Sequence, residues 1–588
     1  MDGPTIGALW NVERDPHMGL CTESDAPRRL HVHVTDAVPL VELFRVSGWT
    51  LDGLKIVRRN RGETDTQCAI SQEIVFAPRT VRGSGGARAH SRTMVPSRPV
   101  YVLLLLLLAR AADASPLAAL QPKYDVIIVG TGIKESLLAG LLSQHGKLVL
   151  QIEPSEALGG ASRSIDLQKL ANELDGPGAA LSEQKLGKPS DYLIEREPKM
   201  FMAAGAQLQL LTASGAWQHM NPPGFKRVQR SLIYRQRADG TADVHRVLAN
   251  SEDVVKTRML APLEKARVLQ FFHWVERYVE ADARTHLAGP LSKRQLDLRK
   301  MSAAKFLAFW ELPADAAHMI TRGMALQQGV LKKVPALEFV RRLKRYKDAY
   351  RTFPHMTSPY VYPVGGFGST LASAMAGVLE SHGGTCLVGQ PLSGLLSAGA
   401  ESGGAMGVKT ADGVPLRAEC VVCAPEHAAA LAPGAVQPAY EVVRLYAVLA
   451  HPPNLCKEAT SCQLILPAAA IGREHDAYMC AFGPTHGVAP AGRWVVVASA
   501  RVEGPTAGMD ALAIAKRELA AVLPLLKPSR KLLAEVRTVY QPTPAGVPDG
   551  LHVLHSSDES TYFDSVEVDV ESAFTRITGE KVASLRRP

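Results

Sequence analysis

The run Tyr124-Asp-Val-Ile-Ile-Val-Gly130-Thr-Gly132-Ile-Lys-Glu135 places two glycines where an apolar strand gives way to a helix. That spacing suits a dinucleotide, because glycines let backbone N–H groups approach a pyrophosphate at a helix N-terminus. Glu153 closes the next apolar run, 23 residues after Gly130, where an acid would hold a ribose hydroxyl. Gly159-Gly160 follows, as in flavin-binding versions of this arrangement. The third glycine of the G-x-G-x-x-G pattern is absent, and Glu135 takes its place. A carboxylate there would repel a pyrophosphate and widen the helix–strand contact. The fold signal is kept while the cofactor chemistry is damaged. No cofactor is therefore expected, and Gly130, Gly132, Glu135 and Glu153 read as a vestigial fingerprint.

Other chemistries find no anchor. The chain contains no H-E-x-x-H, no G-x-x-x-x-G-K-S/T and no G-x-S-x-G. Eight cysteines in 588 residues are sparse and fit a reducing compartment. Cys420-Val-Val-Cys423 is formally a C-x-x-C, but on a strand residues three apart point to opposite faces. No second pair has metal-ligand spacing, so no metal is expected. The net charge of +9 is spread thinly and does not argue for nucleic acid.

The elements that must position these residues alternate in character. The strand–turn–helix and the strand Lys147–Ile152 complete one β-α-β unit from Tyr124 onward. Between about 251 and 349, apolar residues fall at helical spacing over Ala261–Glu280, Ala303–Trp310, Ala314–Gln328 and Ala336–Tyr350. Thereafter the α/β style returns. A helix is predicted over Thr370–Ser381, strands over Glu419–Ala424, Val442–Ala450, Cys462–Leu466 and Trp494–Ser499, and a helix over Asp510–Leu526. A discontinuous α/β domain over 124–250 and 350–570 is thus interrupted by a helical domain over 251–349, with a tail at 571–588. At 588 residues, more than one domain is expected.

Residues 1–123 have weak periodicity, with scattered Arg, Pro and Gly. The apolar run Val100–Ala109 is too short to span a bilayer, which takes about 20 residues. Read from Met94 it resembles a secretory leader. An internal leader, a disordered extension and a translated region foreign to the mature protein all remain open. The segment is set outside the fold as a non-structural extension.

Several motifs in order resemble the Rab GDP-dissociation inhibitor and Rab escort protein family. They are the Tyr124–Gly132 opening with Gly159-Gly160-Ala-Ser162, then Asp191–Leu208, then Arg341–Tyr346 with Ser358–Gly368 and Gly383-Gly384-Thr385. Ser461–Pro467 and Val495–Ser499 fit the C-terminal part. The length from Tyr124 suits a dissociation inhibitor better than an escort protein. The resemblance implies an FAD/NAD(P)-binding, flavoprotein monooxygenase-like α/β domain with an inserted all-helical domain. It implies no catalysis and no cofactor, since a Glu in place of the third glycine is typical of the family. The expected partners are prenylated, GDP-bound Rab GTPases, held by the α/β domain while the helical domain shelters their geranylgeranyl chains. The protein is expected to be a cytoplasmic monomer with transient membrane contact, serving vesicle-mediated transport. An escort role for a geranylgeranyl transferase and an FAD-dependent oxidoreductase are the alternatives.

The Rab-binding platform implied by the resemblance comprises Leu158, Gly159, Gly160, Ser369 and Thr385. Here the chain departs from the family. Leu158 stands where a Tyr is usual, Ser369 where a Glu is usual, and an expected Arg falls near Ala376 or Gly377. Each lost charge-assisted hydrogen bond is worth about 1.5–3 kcal/mol. Arg351, Tyr360 and Tyr362 lie where the family carries a mobile loop used at the membrane.

Overall fold

The computed structural model describes residues 120–584, apart from 122, 221–223, 237–241, 290–292, 354, 398–405, 528 and 544–545, together with 55–58 and 72–75. Residues 1–118 and 119–588 form separate units. In the first, Lys55–Arg58 pairs antiparallel with Gln72–Val75, a regular element where none is expected. The rest of that extension, including the apolar run Val100–Ala109, lies outside the described residues.

In the second unit, four parallel strands set the frame. They are β1 (Tyr124–Val129), β2 (Val149–Glu153), β3 (Thr385–Val388) and β4 (Pro415–Cys423), in the spatial order β3-β2-β1-β4. Val129 lies beside Ile152 and Cys423, and Glu153 beside Val388, so the four C-terminal ends share one edge. Leu551–Val553 adds a further parallel strand on β4, and Met406–Thr410 and Leu392–Leu396 extend the sheet antiparallel. β1 and β2 are almost wholly buried, which explains their continuous apolar reading. Helix α1 (Ile133–Gln144) packs against α2 (Phe367–Ser381) and α3 (Asp564–Thr578).

The α/β region contains a second large sheet. The second, mostly antiparallel, runs in the order Ala242–Arg246, Arg230–Gln236, Ser461–Leu466, Ala477–Phe482, Trp494–Arg501, Val436–Leu449, Ser529–Pro542. Its alternate residues face two cores: Val495 and Val497 join the main cluster, Val496 and Ala498 the one under helix Ala511–Glu518. The helical segment holds Pro262–Arg277, Ala303–Phe309, Ala314–Met319 and Ala336–Thr352. Its aromatic core is closely filled, with Trp274 5.3 Å from Phe306 and 5.7 Å from Trp310, ring centre to ring centre. That core is continuous with the main cluster around β1.

Two expectations fail here. The tail expected from residue 571 begins inside α3, whose Ala573 and Phe574 are fully buried against the main cluster. Cys456 and Cys462 form a disulfide, with Cα atoms 5.8 Å apart, which a reducing compartment does not lead one to expect. Among the described residues, no helix is long and apolar enough to cross a membrane, and no group of metal-ligating side chains is assembled.

Candidate functional site

The turn between β1 and α1 opens into a cavity of about 330 Å³ at the C-terminal ends of the parallel strands. Gly130 has φ +107°, and a Cβ on it would lie 3.1 Å from that of Ala424, so this corner admits only glycine. Thr131, between the two glycines, ties the site together. Its backbone N–H donates to Glu153 Oε2 at 3.0 Å, and its hydroxyl donates to the same oxygen while accepting from Gly159 N–H at 3.0 Å. The other oxygen of Glu153 accepts from the backbone N–H and hydroxyl of Ser155, at 3.0 and 2.7 Å. The acid that would hold a ribose is thus occupied by the protein itself.

Glu135 fills the position where phosphate would sit. Its carboxyl oxygen lies 2.4 Å from where a Cβ of Gly132 would be, directly over the turn. Burial pushes the Glu135 carboxyl up to about 8, offset in part by a hydrogen bond from its own backbone N–H. It sits there as a neutral acid at pH 7 and does not widen the helix–strand packing, since Leu137, Leu138, Leu141 and Leu142 remain fully buried. With the phosphate position filled and Glu153 engaged, these residues do not fit a bound dinucleotide.

The second glycine pair builds a different surface. Gly159 has φ +104°, and a Cβ there would lie 2.6 Å from the Gly368 carbonyl oxygen. A Cβ on Gly368 would in turn lie 1.9 Å from the Ser162 oxygen. Backbone therefore packs on backbone, bringing Gly159 against the first turn of α2, where Ser369 lies, while a Cβ on Gly160 would instead meet the Gly132 nitrogen at 3.0 Å. Thr385 does not join them: it starts β3 opposite Leu150, away from the strand ends. The start of α2 is fixed by Glu195, whose Oε2 accepts from the Phe367 N–H at 3.1 Å and from the Tyr362 hydroxyl.

Tyr360 and Tyr362 correct an expectation. Rather than belonging to a membrane-facing loop, they lie in the strand Tyr360–Pro363, each 1% exposed, between Phe201–Met202 and Phe225–Arg227. Their rings stack on Tyr562 and Phe482, and apolar packing outweighs any loop tendency of the prolines around them. Arg351 is exposed at the end of its helix, 3.6 Å from Glu276. Sequence reasoning missed Thr131, Glu195 and Lys134. Only Thr131 left a local signal, as the residue between the two turn glycines.

Glu195 yields a pH prediction. Burial raises its carboxyl to about 8, against an unfolded value near 4.3. A raised carboxyl contributes stability below the unfolded value that is lost as pH rises through the folded one. Glu195→Gln should be more stable than the parent by about 1–3 kcal/mol at pH 9 and should lose that advantage at pH 5. Urea unfolding at the two pH values checks this.

The whole sequence from the glycine turn onward matches one family, described as GDP dissociation inhibitor, over residues 120–587. The chain belongs to the GDP dissociation inhibitor family. It is 30% identical over 462 residues to a guanosine nucleotide diphosphate dissociation inhibitor of Arabidopsis thaliana, covering 78% of this chain and 96% of that protein. A probable secretory pathway GDP dissociation inhibitor of Schizosaccharomyces pombe is 29% identical, covering 80% and 99%. The crystal structure of a Rab GDI from Plasmodium falciparum superposes with a TM-score of 0.70 at 23% identity, over 79% of this chain and 99% of that one. The fold is that of a GDP dissociation inhibitor. The dinucleotide-type β-α-β unit, closed from within by Glu135, is therefore part of a scaffold for regulating small GTPases.

Proposed function

We propose that this chain is a Rab GDP dissociation inhibitor that binds prenylated, GDP-bound Rab GTPases, shields their geranylgeranyl groups and returns them from membrane to cytosol. The family match over residues 120–587 carries this reading. The docking surface is the backbone-packed junction of Gly159 with the first turn of α2, taken with its chain neighbours Leu158 and Gly160 and with Ser369; Thr385 lies apart from it. With Leu158 and Ser369 in place of charged or phenolic groups, affinity rests on shape and apolar contact. The lipid enters between the helices Pro262–Arg277, Ala303–Phe309 and Ala336–Thr352, which must part, because their aromatic core is filled. Burial at about 0.8 kcal/mol per methylene drives that opening. Exposed Arg351 meets the membrane surface.

The protein works in the cytoplasm as a monomer without catalysis. A geranylgeranylated Rab loaded with GDP should bind at least about tenfold tighter than the same Rab loaded with a GTP analogue, a difference of about 1.4 kcal/mol. Biolayer interferometry with both forms measures this. Equal binding, or none, would sink the reading.

A further inference from the structure

We propose that Cys456 and Cys462 form a redox-sensitive clasp, which sets how firmly the chain between the helix Ala336–Thr352 and the strand Tyr360–Pro363 is held. Six cysteines fall among the described residues, and only these two are joined. The other four take no part in exchange. Burial pushes the thiols of Cys386 and Cys420 up to about 12 and about 11, and those of Cys423 and Cys480 higher still. Cys456 ends the turn Asn454–Cys456, and Cys462 lies in the strand Ser461–Leu466, with Cα atoms 5.8 Å apart. The turn has hydrogen bonds of its own, from Cys456 N–H to the Pro453 oxygen at 2.8 Å and from Ala459 N–H to the Cys456 oxygen at 2.9 Å. Both sulfurs therefore stay within bonding reach when the bond opens. In a reducing cytoplasm a disulfide is a transient, sensing bond rather than a permanent one, and to that extent the clasp rests on the proposed function.

The closed loop holds a backbone that would otherwise relax. Lys457 has φ +50° and ψ −120°, outside the regions open to a residue with a side chain. The loop then reaches across to Gln229. Thr460 N–H donates to Gln229 Oε1 at 2.8 Å, and Gln229 N–H donates to the Ser461 hydroxyl at 3.1 Å. On its far side the Gln229 carbonyl accepts from the Thr357 hydroxyl at 3.0 Å, and the Val228 carbonyl accepts from the Ser358 hydroxyl. Gln229 thus joins the clasp to the stretch that carries Phe353, 44% exposed, and His355, whose φ is +60°. Opening the S–S bond lets Lys457 relax, shifts Thr460 and Ser461, and loosens the hold of Gln229 on Thr357.

Closure oxidises two thiols and reduces one hydroperoxide. One thiolate attacks the O–O bond of hydrogen peroxide to give a sulfenic acid, and the departing hydroxide leaves as water with the thiol's proton. The second thiol then displaces a second water and forms the S–S bond. A dithiol reopens it through a mixed disulfide and leaves as its own cyclic disulfide. Both cysteines are fully buried, so either reagent enters as the exposed Lys457-Glu458 turn lifts.

Hydrogen exchange read by mass spectrometry on the full chain tests this, with dithiothreitol and then hydrogen peroxide as the probes. Reduction should speed exchange at least about threefold in both 456–462 and 355–360, and peroxide should restore the slow rates. Peptide mapping should show Cys456 rejoined to Cys462. Cys456→Ser should copy the reduced state in both segments. Gln229→Ala, with the bond intact, should speed 355–360 alone, and reduction should add nothing further there. A bond that the folded protein keeps in dithiothreitol, or thiols that peroxide leaves unjoined, overturns the switch. Faster exchange in 456–462 with no change in 355–360 overturns the link through Gln229. If the variants fail to fold, the unsubstituted chain alone decides both points. No GTPase enters the measurement, so failure of the clasp and failure of the proposed function are told apart.

Discussion

Glu535→Ala is expected to lower stability by about 3–5 kcal/mol, because it leaves the buried Arg196 and the half-buried Arg537 without the carboxylate they share. Glu535, in the strand Ser529–Pro542, is 5% exposed and receives Arg196, Arg537 and the Tyr446 hydroxyl. Burial alone would raise its carboxyl, yet the charges of Arg537 and Arg196 hold it down at about 2. Arg196 is 8% exposed and would keep only Glu173, at 2.8 Å. Arg537 would keep the Ala161 carbonyl at 3.1 Å and, as counter-charge, the more distant Glu197 at 3.6 Å, which Arg444 already approaches to 3.4 Å. The damage would reach the proposed docking surface, because Arg196 directly follows Glu195, the acid that fixes the start of α2. Under the proposed function, Glu535→Ala should therefore weaken Rab binding as well as folding. Urea unfolding at pH 7 measures the first effect; a loss under about 1 kcal/mol would show the arginines to be solvated rather than trapped.

None of that network was legible from sequence, for a physical reason. Arg196, Glu197, Arg444, Glu535 and Arg537 come from three distant segments and meet only when the antiparallel sheet closes on the 194–197 turn. What the sequence does carry is local. The strand–glycine–helix start is read correctly because one apolar run, two glycines and one helical stripe lie within some twenty residues. The strands at Val436–Leu449, Ser461–Leu466 and Trp494–Arg501 are likewise recovered, since buried strands are continuous apolar runs, whereas Ala477–Phe482 between them was not expected. The errors arise where tertiary burial overrides local character. Pro-flanked Tyr360 and Tyr362 read as loop but form a central strand, and the supposed tail is the helix that covers the glycine turn. Glu135 is the instructive case: its charge type argued repulsion of a ligand and a widened turn, while its burial raises the carboxyl to about 8 and lets it pack inside the turn.

Asp569→Ala should cost about 3–5 kcal/mol at pH 7, and about 2.6 kcal/mol of that effect should be lost in acid. Lys134, in the first turn of α1, is 4% exposed and reaches Asp569 Oδ2 at 3.0 Å and the His555 carbonyl at 2.9 Å. Asp569 also accepts from the His555 N–H at 2.8 Å, so one carboxylate locks α3 onto the glycine turn. Burial opposes its charge, but the Lys134 ammonium and the His555 contacts prevail and hold it at about 2. The unfolded value is near 3.9, so its contribution is present above about pH 4 and is lost as pH falls towards 2. Glu135 and Glu195, both raised to about 8, act in the opposite sense, stabilising the fold below about pH 4.3 and ceasing to do so as pH rises through 8. In the stability profile these three groups together favour about pH 4–5, while His486, held down at about 4 by burial, favours higher pH. Asp569→Ala should flatten the acid limb of that profile and leave the alkaline limb unchanged. The paired variant Lys134→Met with Asp569→Leu removes both charges and should recover most of the loss, since the cost lies in a stranded ammonium rather than in the missing pair. An Asp569→Ala profile parallel to the parent's from pH 2 to 5 would show that this clamp does not govern how α3 holds the turn.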